Sequence, residues 1–191
     1  MSLKLQVIVA STRPRRVGVH VGHWFFGVAQ DHPGFDTRLV DLAAVGLPLF
    51  DEPRHPRLRQ YEHEHTRRWS AIVDEADAYV FVTPEYNFSP PPSLVNALDY
   101  VLHEWAFKPA AFVSYGGVSG GLRAVQALKV TMSALRLVPI AESVVVPFVA
   151  QHVKEGVFTP NEAQTSAAAS LLDALARWAE ALRPLRGNSR I

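Results

Sequence analysis

Ala78-Tyr79-Val80-Phe81-Val82-Thr83, followed at once by Pro84-Glu85-Tyr86-Asn87-Phe88-Ser89, is the stretch that decides the fold. Its first six residues are close to continuously apolar. A strand with one wet face alternates apolar and polar side chains; a run without alternation fits a strand buried on both faces, as in a parallel sheet covered by helices on each side. The run stops at Pro84, which cannot donate to a sheet ladder.

Reading outward, Leu3–Ala10 predicts a first strand and Thr37–Leu42 a second. Ala110–Tyr115 predicts a fourth, ended by Gly116-Gly117, and Ile140–Val146 a fifth. Helical spacing fills the gaps. Val17, Val21, Trp24 or Phe25, and Val28 recur at that spacing up to the Asp31–Gly34 break. A Pro-punctuated stretch from Pro48 to Pro56 leads to a polar helix from about Leu58 to Ala76. Pro90-Pro91-Pro92-Ser93 opens a helix with Leu94, Leu98, Val101 and Leu102 on one stripe. Leu122, Val125, Leu128, Met132 and Leu135 mark the next. For the last helix, Thr159 is the expected cap, Pro160 the first helical residue and Glu162 the capping-box partner. Leu171, Leu172, Leu175, Trp178 and Leu182 are its expected buried face. Strands alternating with helices give an α/β protein with a parallel sheet, and 191 residues suit one domain over 1–191.

Composition removes several classes of function. The chain has no cysteine, which excludes disulfides, thiol catalysis and thiolate metal sites. A formal net charge of +1 gives no general pull toward nucleic acid or a membrane surface. No apolar run reaches the length of a membrane span, and Met1–Gln6 is too polar for a signal peptide, so a cytoplasmic location is expected. His55, His63 and His65 beside Glu62 and Glu64 look like metal ligands, but i and i+2 positions on a helix diverge by about 200°. A solvated helix face is the expectation there, and no metal site. Arg183, Arg186 and Arg190 make a basic tail too sparse for nucleic acid. Trp24, Trp69 and Trp178 are expected in the core, and Trp105 at an interface.

In parallel sheets ligands bind beyond the carboxyl ends of the strands. Three loops fall there. Ser11-Thr12-Arg13-Pro14-Arg15-Arg16-Val17-Gly18 runs straight into a helix, whose free N–H groups and dipole suit a phosphate. It is neither a Walker loop nor a Gly-x-Gly-x-x-Gly fingerprint. In Pro84-Glu85-Tyr86-Asn87-Phe88-Ser89, two aromatics and a carboxylate are more than a turn requires; Tyr86 and Phe88 can pack on a flat ring. Ser114-Tyr115-Gly116-Gly117-Val118-Ser119-Gly120-Gly121 has four glycines, which let backbone approach a ligand closely.

Pro84-Glu85-Tyr86-Asn87, followed by Asn96-Ala97-Leu98-Asp99-Tyr100, resembles the NADPH-dependent FMN reductase family of flavodoxin-like proteins. Ser11-Thr12-Arg13 and the glycine loop are similar to that family's other two flavin loops. The resemblance implies a three-layer sandwich with strand order 2-1-3-4-5 and FMN as cofactor. It would place Ser11, Arg13, Arg16, Val17 and Gly18 around the phosphate. Pro84, Glu85, Tyr86 and Asn87 would lie along the isoalloxazine, chiefly through backbone, with Ser114, Tyr115, Gly116 and Gly117 at its polar edge. It further implies hydride transfer from NADPH or NADH to FMN and then, by a ping-pong cycle, to quinones, flavins, azo dyes or metal ions. The chemistry then belongs to the flavin and needs no catalytic side chain. A homodimer or tetramer is implied too, with FMN near the interface and residues from Phe88 to Trp105 contributing. Ala10, Arg15, Arg16 and the three prolines depart from the family's pattern.

Two other readings compete. One is a flavin-binding electron carrier or redox sensor. The other is a hydrolase: Gly117-Val118-Ser119-Gly120-Gly121 satisfies Gly-x-Ser-x-Gly between a strand and a helix, with Glu142 and His152 following in order.

Overall fold

The computed structural model describes residues 2–186; Met1 and Arg190 lie outside the described residues. The described residues form seven strands: β1 (Leu3–Val9), β2 (Phe35–Asp41), β3 (Ala78–Pro84), β4 (Pro109–Tyr115), β5 (Val138–Val146), β6 (Val153–Lys154) and β7 (Val157–Phe158). The first five make one sheet in the order β2-β1-β3-β4-β5, parallel throughout. β6 and β7 are a separate antiparallel hairpin. The helices are α1 (Gly18–Gln30), α2 (Leu42–Val45), α3 (Glu64–Glu75), α4 (Pro92–Asp99), α5 (Leu122–Ala134) and α6 (Glu162–Arg186).

The apolar run of β3 explains the layering. Val80 and Val82 point into a core shared with α1 and α6 through Val21, Phe25, Leu171 and Leu175. Tyr79 and Phe81 point the other way, onto Trp69 of α3, Leu94 and Leu98 of α4, and Leu128 of α5. With both faces dry, every residue of β3 is buried. Each fully buried large side chain contributes roughly 2–3 kcal/mol through lost water contact. Both buried indoles of this core are paired: Trp69 Nε1 donates to the Ala97 carbonyl at 2.8 Å, and Trp105 Nε1 to that of Leu98 at 3.1 Å.

Several local expectations shift. The polar helix begins at Glu64, not near Leu58, because residues 56–58 close into a 3₁₀ turn and Arg59 takes a left-handed φ of 50°. The start of α3 is capped from a distance, the Glu52 carboxylate accepting from the N–H groups of Glu62 at 2.9 Å and His63 at 3.0 Å. His63 is therefore an extended cap residue outside the helix. Its ring stacks on His65 with centroids 5.1 Å apart, where two helical positions would have diverged. α6 starts two residues after Pro160. Its capping box is Asn161 with Gln164: Asn161 Oδ1 accepts from Gln164 N at 2.8 Å, and Gln164 Oε1 from Asn161 N at 2.9 Å. Two tryptophans trade places. Trp105 is fully buried between Tyr79 and Phe81, whereas Trp178 is 44% exposed on α6. Among the described residues, no helix is long and apolar enough to cross a membrane.

Candidate functional site

Parallel pairing brings the ends of β1, β3 and β4 to one edge, so the three loops that follow them meet there. The chain leaves β1 through Ala10, whose N–H donates to the Val82 carbonyl at 3.0 Å and whose carbonyl accepts from Ser93 Oγ at 2.6 Å. Pro92 sits at the first turn of α4, where it needs no N–H, and the next residue, Ser93, makes the bond to Ala10 that ties α4 to the first loop. Ser11 is fully buried; its Oγ is 2.7 Å from Tyr86 Oη and accepts weakly from Arg13 N at 3.4 Å. The Arg13 guanidinium lies 5.7 Å from the Tyr86 ring centre. These contacts join the first and second loops.

α1 begins at Gly18, after Val17, and no side chain caps its first turn. The positive end of the helix dipole is open there. Arg16 is held by an ion pair with Asp41 at the end of β2, and Asp41 also caps α2 by accepting from Ala43 N at 3.0 Å. Arg16 Nε is buried without a protein partner. Gly18 is required sterically: a Cβ there would sit 2.2 Å from the Tyr115 hydroxyl. Burial pushes the Tyr115 phenol well above its usual range.

In the second loop Tyr86 and Ser89 exchange backbone bonds at 2.8 and 2.9 Å around Asn87 and Phe88, whose φ values are 50° and 67°. That is a two-residue turn of the mirror-image class, built without the glycine it usually takes. Burial acts to raise the Glu85 carboxyl, but Arg123 and Ser119 hold it below the usual carboxylate range. In the third loop Gly120 and Gly121 adopt left-handed φ values of 58° and 88°, and side chains there would strike Val145 and Tyr115. Their absent side chains serve internal packing. Gly117, with nothing within 4 Å of a built Cβ, is the one that opens outward. The segment after β5 braces this loop, Phe148 N and Val149 N donating to the carbonyls of Gly117 and Gly116.

Together these parts enclose a cavity of about 310 Å³. Of the thirteen residues expected at the site, nine line it: Ser11, Arg13, Arg16, Val17, Pro84, Glu85, Tyr86, Tyr115 and Gly116. Gly18 lies behind Tyr115, Asn87 is at the exposed turn apex, Gly117 faces outward and Ser114 is buried beneath, its Oγ unpartnered. Arg15 and Val149 also line it, and Asp41 and Arg123 support it from behind. No local pattern marks Asp41, Arg123 or Val149, since each arrives by tertiary packing. A cavity of about 510 Å³ beneath residues 50–56 has neither an α-helix start nor a glycine loop.

The Asn96 to Tyr100 motif has a different task. Asn96 Nδ2 donates to the Pro48 carbonyl at 2.6 Å, its Oδ1 accepts from Phe50 N at 2.8 Å, and Tyr100 Oη donates to Asp51 at 2.9 Å. It straps the long β2–α3 connection onto α4. The hydrolase geometry does not form: Ser119 Oγ donates to Glu85 at 2.9 Å and accepts from Arg123, while His152 Nδ1 is 3.2 Å from the Thr159 carbonyl.

A doubly wound parallel sheet in this order, with a phosphate-suited helix start at the β1/β3 switch point, is the flavodoxin-like class of nucleotide-binding α/β fold. Comparison with known proteins narrows the class. The family model described as NADPH-dependent FMN reductase matches residues 3–151, and the chain belongs to that family. An NAD(P)H-dependent FMN reductase from a Nectria species is 36% identical over 154 residues, spanning 77% of this chain and 76% of the relative. A 2-hydroxy-1,4-benzoquinone reductase from a Burkholderia species is 33% identical over 122 residues, covering 64% and 60% of the two chains. Among solved structures, the flavoenzyme NAD(P)H:(acceptor) oxidoreductase FerB of Paracoccus denitrificans superposes with a TM-score of 0.73 at 24% identity, over 93% of this chain and 97% of that one. The protein is an FMN-dependent NAD(P)H oxidoreductase.

Proposed function

We propose that FMN occupies the 310 Å³ cavity, its phosphate at the start of α1 and its ring against the second and third loops. The observation that carries this reading is the open helix start at Val17–Gly18, flanked by arginines, facing the same cavity as residues 84–86 and 115–116. The buried Arg16 Nε fits the group, because a phosphate oxygen is the acceptor it lacks. Ser11, Arg13, Arg16, Val17 and Gly18 hold the phosphate. Pro84, Glu85, Tyr86, Asn87, Ser114, Tyr115, Gly116 and Gly117 line the ring, mainly through backbone.

Held by these residues, FMN would supply the hydride-transfer chemistry between NAD(P)H and a second substrate, in a ping-pong cycle. The residues contribute binding, orientation and electrostatics. Small quinones are the acceptors best supported, given the benzoquinone reductase among the relatives. The chain acts as one FMN-binding unit and pairs with a second copy near the flavin. Leu49 and Phe50, 82% and 42% exposed on the strap beside α4, are available for that contact. Trp105, fully buried, is not.

The test is a flavin titration followed by NADPH under exclusion of oxygen. Bleaching of the bound flavin is the expected result. Bound flavin that NADPH leaves oxidised would identify a carrier instead. With Tyr86→Ala or Asn87→Ala, FMN affinity falls more than turnover at saturating FMN. Normal affinity with no turnover would show that these side chains do chemistry.

A further inference from the structure

The second loop is held by a residue outside it. Arg123, in the first turn of α5, donates from Nε to Glu85 Oε1 at 2.5 Å, pairs with the same carboxylate through Nη2, and donates from its backbone N to Glu85 Oε2 at 3.1 Å. Ser119 Oγ donates to that second oxygen at 2.9 Å. The same guanidinium lies 3.8 Å from the centre of the Phe88 ring. Arg123 therefore grips both ends of the Glu85–Phe88 segment, one by charge and one by cation–π contact. Between them Asn87 and Phe88 stay left-handed. That conformation is unfavourable for a residue with a bulky side chain such as Phe88. It persists only where the surroundings over-determine it. The Glu85 side chain is 6% exposed and its oxygens are already filled, so it has no lone pair to spare for a cofactor.

We propose that Arg123 is a positioning residue for the flavin: anchored on Glu85, it fixes the 85–88 backbone against the ring and neutralises a carboxylate that would otherwise oppose the ring's reduction. This rests on the reading of the cavity as the FMN site. Two-electron reduction adds negative charge to the ring, and Glu85 borders that cavity. Removing Arg123 leaves a carboxylate shielded from water with no counter-charge, a costly arrangement. The groups around Glu85 are Arg123 and Ser119 from the α5 side, and Arg13, Arg15, Arg16 and Tyr115 across the cavity. None of these last four is bonded to its carboxylate.

The experiment measures the two-electron midpoint potential of bound FMN, together with Kd for oxidised FMN, in the full chain from pH 5 to pH 8. In Arg123→Ala at pH 8, reduced FMN should bind about tenfold more weakly relative to oxidised FMN, which corresponds to a potential about 30 mV lower. As the pH falls Glu85 takes up a proton, and the gap from wild type closes. Arg123→Ala with Glu85→Gln restores the potential at every pH. Glu85→Gln alone raises it, and the opposite sign of the two single changes is something a merely structural role would not produce. Arg123→Lys keeps the charge and the potential but loses the Phe88 contact and weakens FMN binding, and it serves if Arg123→Ala does not fold. A pH-independent gap, a double variant as low as Arg123→Ala, or single changes of the same sign would overturn the proposal. Failure of wild type to bind FMN would sink the assignment of the cavity instead.

Discussion

Gly18→Ala probes the packing beneath the proposed phosphate site. The added Cβ meets Tyr115 Oη at 2.2 Å and Cζ at 2.9 Å, and an ordinary contact begins near 3.4 Å. The Tyr115 ring or the helix start must then shift by about 1.2 Å, which is 3.4 minus 2.2. Tyr115 cannot simply swing aside, because it is 5% exposed at the end of a strand buried along its whole length. Overpacking of this kind costs about 1–3 kcal/mol. Alanine returns about 0.4–1 kcal/mol by restricting the unfolded chain. The expected net loss is on the order of 1–2 kcal/mol, a fall of about 2–8 °C in Tm for a chain of this size. FMN affinity falls as well, since the displaced ring has only the cavity to enter. Thermal and urea unfolding read the first effect, and flavin fluorescence titration the second. Adding Tyr115→Phe removes the 2.2 Å contact but leaves the one at 2.9 Å, so recovery should be partial. A Gly18→Ala protein as stable as wild type with unchanged FMN affinity would refute this account of why glycine stands there.

Three further outcomes follow from other parts of the molecule. Burial lowers the Lys108 pKa to about 8 from 10.5, so the unfolded chain binds more protons between those values and this residue's contribution to stability rises with pH across that window. The difference in unfolding free energy between wild type and Lys108→Met should therefore grow from pH 8 to pH 10; parallel curves would contradict it. Asn161→Ala removes the capping box of α6 and costs about 1 kcal/mol in urea unfolding, with FMN binding unchanged. Asn96→Ala removes the bonds from Asn96 to Pro48 and Phe50 and leaves those from Tyr100, so proteolysis within residues 47–55 should accelerate severalfold while FMN affinity stays near wild type. A strap as resistant as before would mean that Tyr100 alone secures it.

What the residues declare in advance depends on the range of the interaction. The apolar run at Ala78–Thr83 is a local signal, and it specifies a sheet covered on both faces, with the ligand loops at one edge. The loop before α1 was legible for the same reason: arginines beside a helix start are neighbours in sequence. The cap of α6 lies two residues beyond the expected Thr159, because Thr159-Pro160 and Asn161 both satisfy a local start rule and only the packed helix chooses Asn161. Trp105 is buried and Trp178 half exposed, against expectation, because periodicity says which side of a helix is apolar, not how far the neighbouring layer extends to cover it.

The sequence by itself determined the parallel sheet, the order of its elements and the three loops, through hydrophobic patterning and turn chemistry that act within a few residues. Tertiary structure decided the pairings across the chain: Arg16 with Asp41, 25 residues apart; Glu85 with Arg123, 38 apart; and Asn96 with Pro48, 48 apart. Each is made by side chains whose own neighbourhoods carry no mark of the partner. A charge or an amide has many candidate partners in a linear chain, and it is the strand order and the helix packing that bring one of them within bonding distance.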